Sequence, residues 1–203
     1  MRFIIVTTNK WKVREFQEIF KPYNLRYRVE PLKTREIQSV DLKEVAIESV
    51  LYAYNILREP VMVEDAGLFI DALNGFPGPY SSYVYRTIGV KGVLKLLENL
   101  QDRKAKFVSI IAFYSPFTNL KTFTGEVEGR ISYEARGESG FGFDPIFIPI
   151  DGDGRTFAEM NLEEKNEISH RGRSARKFAE WISSLRKLPP PYVDMSEEKN
   201  EVF

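Results

Sequence analysis

The chain opens on a short apolar run, Phe3 to Val6, with polar residues on either side. A continuous run of this kind is the pattern of a strand buried on both faces. After the polar Thr7-Thr8-Asn9, apolar side chains recur at Trp11, Val13, Phe16, Ile19 and Phe20, the spacing of one helix face. Strand, polar turn, helix is therefore the first predicted unit. A second helix is predicted from Asp41, which can cap it with Glu44 completing a capping box. Its apolar face is Val45, Ala46, Val50, Ala53, Tyr54 and Leu57. Val61-Met62-Val63 reads as another brief strand that ends on Glu64-Asp65.

Further on, Val90 to Leu100 has the periodicity of an amphipathic helix. Phe107 to Tyr114 and Thr122 to Glu128 read as adjacent antiparallel strands joined around Pro116-Phe117-Thr118-Asn119. A last helix is predicted over Arg173 to Leu185, with Ser169 placed to cap it. Helices and strands alternate early and strands cluster in the middle, which predicts an α/β fold with a mixed sheet.

Composition narrows the chemistry. With 203 residues the chain is long enough for one large domain or two intimate lobes. Lys plus Arg equals Asp plus Glu at 29 each, so no global field gathers a nucleic-acid polymer. Cysteine is absent and histidine occurs once, which excludes disulfides, thiolate sites, a Cys nucleophile and zinc held by several imidazoles. A metal, if used, is then a hard cation held by carboxylates, Mg²⁺ above all. No apolar run is long enough to span a membrane, and the first residues read as a strand and not a signal peptide. The expected compartment is the cytoplasm. The expected domain is 1–187, followed by a polar tail at 188–203 that begins with prolines and is expected to be loosely held.

Four segments carry groups suited to chemistry, and each has a plain structural alternative. In Thr7 to Lys12, short polar side chains and two lysines stand at a helix N-terminus, which favours phosphate; the alternative is an ordinary cap with solvated lysines. Glu64 and Asp65 fall where a buried strand is expected to stop, the edge at which α/β proteins collect ligands. Glu36 and Asp71 are further carboxylates able to join a metal site, and surface turn acids are the alternative. In the stretch from Glu138 to Phe147, Gly140 and Gly142 allow close backbone approach, Phe141 and Phe143 offer rings, and Asp144 precedes a proline. A Gly-rich hairpin with buried Phe accounts for it equally. Lys165, the lone His170, Arg171 and Arg173 gather donors, as a solvated helix start also would.

Taken together and in this order, the segments resemble the inosine triphosphate pyrophosphatase family of non-standard purine nucleoside triphosphate pyrophosphatases. The resemblance rests on Thr7 to Lys12, Val63 to Leu68, Leu73 to Ser82, Gly140 to Phe147, Thr156 to Met160, Glu164 to Asn166 and Ser169 to Arg171. It implies an elongated mixed sheet with flanking helices, two lobes around a central nucleotide cleft, and a homodimer. It also implies Mg²⁺-dependent hydrolysis of ITP, dITP and XTP to the monophosphate and pyrophosphate. Carried over by position, Thr7, Thr8, Asn9, Lys10, Trp11 and Lys12 hold the triphosphate. Glu36 and Asp65 hold the metal, with Asp65 also the proton acceptor. Ala66, Phe141, Gly142, Phe143, Asp144, Lys165, His170 and Arg171 complete the substrate site. Two positions depart from the family pattern: Thr8 stands where Gly is usual, and Ala66 where many members carry Ser or Thr. The rival readings are a non-catalytic nucleotide-binding module and a pyrophosphatase for modified pyrimidine nucleotides.

Overall fold

The computed structural model describes residues 2–35 and 37–185. Strand β1 (Arg2–Val6) leads into helix α1 (Lys10–Phe20), and β2 (Arg26–Glu30) pairs parallel with β1. Helix α2 (Leu42–Leu57) precedes β3 (Val61–Ile70), which lies parallel on the other side of β1. That contact is brief, pairing Ile4 with Val61 and Ile5 with Met62. Next come the two-residue strand β4 (Pro77–Gly78) and the short helices α3 (Ser81–Thr87) and α4 (Gly89–Leu96). Long antiparallel strands β5 (Lys104–Tyr114) and β6 (Lys121–Ile131) follow, then β7 (Phe147–Pro149), α5 (Leu162–Ile168) and α6 (His170–Ser184). The seven-stranded sheet runs β2-β1-β3-β5-β6-β7, with β4 on β3. This is the mixed α/β fold expected from the element pattern.

The pleat sorts the apolar runs onto two faces. On one, Phe3 and Ile5 pack with Met62, Ile111, Phe16, Phe20 and Phe178, beneath α1 and α6. On the other, Ile4 and Val6 pack with Val61, Val63, Ile110, Ala46 and Val50, beneath α2. From Phe3 to Val6 both faces of β1 are thus buried, which is why its apolar run is unbroken. A third cluster joins Leu68, Ile70, Phe107, Phe147 and Phe157 to Val84, Val93 and Leu97 of α3 and α4. By alternation, Leu68 and Phe107 share the face of Met62 and Ile111. Between the two clusters on that face stand Glu64 and Ala66 of β3 and Ser109 of β5, a polar interruption in an apolar surface.

Several expectations are corrected. β3 does not stop at Glu64-Asp65 but runs to Ile70, paired with β5 along its whole length. Only its parallel contact with β1 ends before the acidic pair. Asp71 lies six residues beyond Asp65, roughly 20 Å along an extended strand, and lines a separate groove with Lys104, Lys106 and Arg130. It does not join the site. Glu44 does not close a capping box: Asp41 caps α2 by accepting from Lys43 N at 2.8 Å, while Glu44 accepts from the Ser39 hydroxyl at 2.7 Å. Helix α6 begins at His170, three residues earlier than predicted, with Ser169 its N-cap as expected. Glu36 and the tail at 188–203 lie outside the described residues. Among the described residues no helix is long and apolar enough to cross a membrane.

Candidate active site

Helix α1 is the first wall of the site. Asn9 caps it, its side-chain oxygen accepting from Trp11 N at 2.9 Å and Lys12 N at 3.3 Å, and Asn9 N donates in turn to Thr7 Oγ1 at 3.1 Å. These polar groups shape the turn. Thr8 and Lys10 face solvent, and Thr8 is not among the residues with positive φ, so this backbone needs no glycine there. Lys12 ties the first turn of α1 to β3, donating to the Glu64 carbonyl oxygen at 2.7 Å and pairing with its carboxylate at 2.9 Å.

From Glu64 a buried ionic chain crosses the polar interruption. Glu64 Oε1 accepts from Ser109 Oγ at 2.7 Å and faces Arg171 Nε at 3.1 Å, and Ser109 and Ser174 are hydrogen-bonded at 2.8 Å. Arg171 Nη1 pairs with Glu15 of α1, whose other oxygen accepts from Lys165 Nζ at 2.8 Å. Lys165 also reaches Asp144 Oδ2 at 2.6 Å, and the same oxygen accepts from Phe141 N at 2.8 Å. Lys12, Lys165 and Arg171 thereby balance Glu15, Glu64 and Asp144, and the last five of these are almost wholly buried. Removing one member of such a set leaves an uncompensated interior charge, which costs about 3–5 kcal/mol.

The titration of these groups follows from burial against neighbours. Burial works to raise Glu64 and Glu15, but Arg171 with Lys12, and Arg171 with Lys165, more than offset it, so both carboxylates are held below their ordinary range. Asp144 goes the other way: burial raises it, only partly opposed by Lys165 and further raised by Glu15. Burial and then Arg171 hold His170 well below its ordinary range, so it is neutral. Its ring stacks on Phe107 at 4.5 Å and 10°, and its Nδ1 is buried without a hydrogen-bond partner.

The structure therefore brings Lys12, Phe141, Asp144, Lys165, His170 and Arg171 together. Phe143 is the exception in its segment: its ring is in the core at 3% exposure, edge-on to Tyr85, leaving Phe141 as the ring at the site. Gly140 is required, because a Cβ there would meet Asp144 Oδ2 at 2.2 Å, whereas Gly142 borders open space. The acidic pair is split by the pleat. Glu64 faces α6 within the network, while Asp65 takes the alternate face, that of Val61 and Val63, and is half-buried. Ala66 returns to the Glu64 face, in register with Ser109. Sequence reasoning missed Glu15, Ser109 and Ser174. A carboxylate beside Phe16 and four residues before Ile19, on the apolar stripe of α1, was the available signal for Glu15.

Glu64 already faces two cations, Lys12 and Arg171. Asp65, on the opposite face of β3, is a hard oxygen donor, and such donors fit Mg²⁺, which takes one or two carboxylates plus substrate phosphates. Among the described residues no group of three potential ligands forms a cage of its own.

The chain matches the family model described as the Ham1 family over residues 3–181. It is 50% identical over 190 residues to a dITP/XTP pyrophosphatase of Hyperthermus butylicus, covering 93% of this chain and 96% of that one. A dITP/XTP pyrophosphatase of Methanopyrus kandleri is 49% identical, with 91% and 97% covered. Among solved structures, a HAM1 protein from Coxiella burnetii superposes with a TM-score of 0.81 at 30% identity, covering 91% of this chain and 99% of that one. The Staphylococcus aureus Ham1 protein gives 0.78, also at 30% identity, over 91% and 100%. With its family model, its relatives and its fold in agreement over nearly the whole described length, the chain belongs to the Ham1 family.

Proposed function

We propose that this chain hydrolyses deaminated purine nucleoside triphosphates, dITP, XTP and ITP, to the monophosphate and pyrophosphate, in a cleft between two lobes. The observation that carries the reading is the division of labour across β3. Glu64 is consumed in a charge-balanced, buried network beneath α1 and α6, while Asp65 stands on the other face of β3, next along the strand from the carbonyl that Lys12 of α1 reaches. A base is uncharged and asks for hydrogen bonds; a triphosphate is highly charged and asks for cations. The network suits the first and the Thr7–Lys12 turn the second.

In this reading Lys165, His170 and Arg171 line the base pocket. Hypoxanthine and xanthine present a 6-keto acceptor, which donors favour, whereas adenine's 6-amino group would face donors unpaired. Leaving such groups unpaired gives discrimination on the order of 10⁴-fold. Thr8, Lys10 and the α1 N-terminus meet the phosphates. Asp65 orients a water and takes its proton as the oxygen attacks the α-phosphorus; the bond to the bridging oxygen breaks and pyrophosphate leaves. Asp65 and Glu36 would hold Mg²⁺, which would supply charge neutralisation on the phosphates. A homodimer in the cytoplasm belongs to the same reading.

The test is pyrophosphate release across ITP, XTP, ATP, GTP and modified pyrimidine triphosphates. Release confined to ITP and XTP is expected, with IMP as the product from ITP. Orthophosphate and IDP would rule out attack at the α-phosphorus, preference for a modified pyrimidine would move the substrate class, and no release at all would leave a binding module.

A further inference from the structure

Trp11 is one of only two tryptophans in the chain. Trp181 packs among Phe113, Phe123 and Phe178. Trp11 is instead 46% exposed, in the first turn of α1. Its ring lies nearly parallel to that of Phe141, at 16° with centroids 6.5 Å apart. Stacked flat rings are separated by about 3.4 Å, as bases are in a nucleic-acid strand. At that separation these two rings would be displaced sideways by about 5.5 Å, leaving each face largely uncovered. Placed face to face, they leave a gap of roughly two stacking distances, the thickness of one further ring. Either way Trp11 offers an aromatic face that its own neighbour does not cover.

The pair is also held. The Arg14 guanidinium lies over the Trp11 ring at 5.0 Å, and Lys165 and Arg171 lie over the Phe141 ring at 5.0 and 5.3 Å. Such contacts hold a ring through its face. Phe141 sits between Gly140 and Gly142, with φ of 74° and 65°, and a Cβ at Gly142 would meet nothing within 4 Å.

We propose that Trp11 and Phe141 form a two-sided aromatic slot for the purine, with Trp11 supplying the second stacking face; the proposal rests on the nucleotide-hydrolysis reading above. Stacking is indifferent to the groups on a base's edge. Trp11 therefore contributes affinity for every purine, and selection stays with the donors at Lys165, His170 and Arg171.

The experiment follows tryptophan emission of the full chain during titration with IMP, with binding measured in parallel by calorimetry. A saturable quench is expected that vanishes in Trp11→Phe, a variant that keeps a ring and holds IMP affinity within about three-fold. Trp11→Ala is expected to raise KM for ITP and for XTP alike, by about ten-fold, with kcat little changed. Because Trp11 is exposed, neither substitution disturbs the core. Calorimetric binding of IMP with unchanged emission overturns the slot while leaving the hydrolysis reading intact. A Trp11→Ala effect on ITP that XTP does not share overturns it as well. Absence of pyrophosphate release from ITP by the unaltered chain removes the underlying reading, and the slot with it.

Discussion

Glu15 shows how much one buried side chain can organise. It lies on the stripe of α1 that buries Phe16, Ile19 and Phe20, yet it is a carboxylate, and it holds both Lys165 and Arg171. Glu15→Gln keeps the shape and removes the charge, leaving two interior cations short of a partner. Denaturant unfolding is expected to show a loss of about 3–5 kcal/mol. Asp65→Asn, on the other face of β3, should behave oppositely, abolishing turnover at nearly unchanged stability; near-normal turnover would remove Asp65 as the base. His170 ties stability to pH. Burial and Arg171 keep it neutral when folded, so below about pH 6.5 the unfolded chain binds a proton that the folded chain refuses. Stability should fall as pH drops through that point, and the melting temperature of His170→Gln should lose that part of the slope. Of these residues, Asp65 and His170 stood out in the sequence by position and rarity. Glu15 did not, because one acid beside apolar neighbours looks like any residue at the border of a helix face until its cationic partners, 150 or more positions away, fold against it.

At the level of elements, the start of α6 carries the densest part of the candidate site. Ser169 caps it by accepting from Gly172 N at 3.0 Å, and His170 and Arg171 follow at once. The helix can lie this close to the sheet only because β6 has Gly125 beneath it. A Cβ there would stand 2.0 Å from the His170 carbonyl oxygen and 2.4 Å from Ser174 N. Gly125→Ala should lift the first turn, costing about 1–3 kcal/mol in thermal unfolding and, on the proposed base pocket, raising KM for ITP as His170 and Arg171 shift. The cap was legible from Ser169 alone, since an N-cap is a local matter. The partner glycine was not, because its need arises from an element 45 residues further on. β2 was equally hidden: it alternates Arg26, Arg28 and Glu30 with Tyr27 and Val29, the mixed character of an edge strand. The length of β3 was masked by its own polar centre, where Glu64-Asp65 interrupts an apolar pattern that resumes at Leu68.

Across the whole molecule, the site is a seam. On one face of the sheet the cluster around Phe3, Met62 and Phe178 and the cluster around Leu68, Phe107 and Phe147 are separated by Glu64, Ser109 and the network they anchor. β3, β5 and β6 run unbroken beneath it, so the fold is continuous where the core is not. The fold class could be read from the order of helical and strand patterns; the seam could not, since it depends on which residues the pleat turns to the same side. The balance of charge within that seam has a further consequence. Dissolved ions screen exposed charges over roughly a Debye length but hardly reach paired charges in the interior. Raising ionic strength should therefore weaken the grip of Lys10 and the α1 turn on phosphates, while the ratio of ITP to ATP hydrolysis stays fixed. On the proposed division of the site, recognition of the base would be insulated from the medium, and only the hold on the tail of the nucleotide would respond to it.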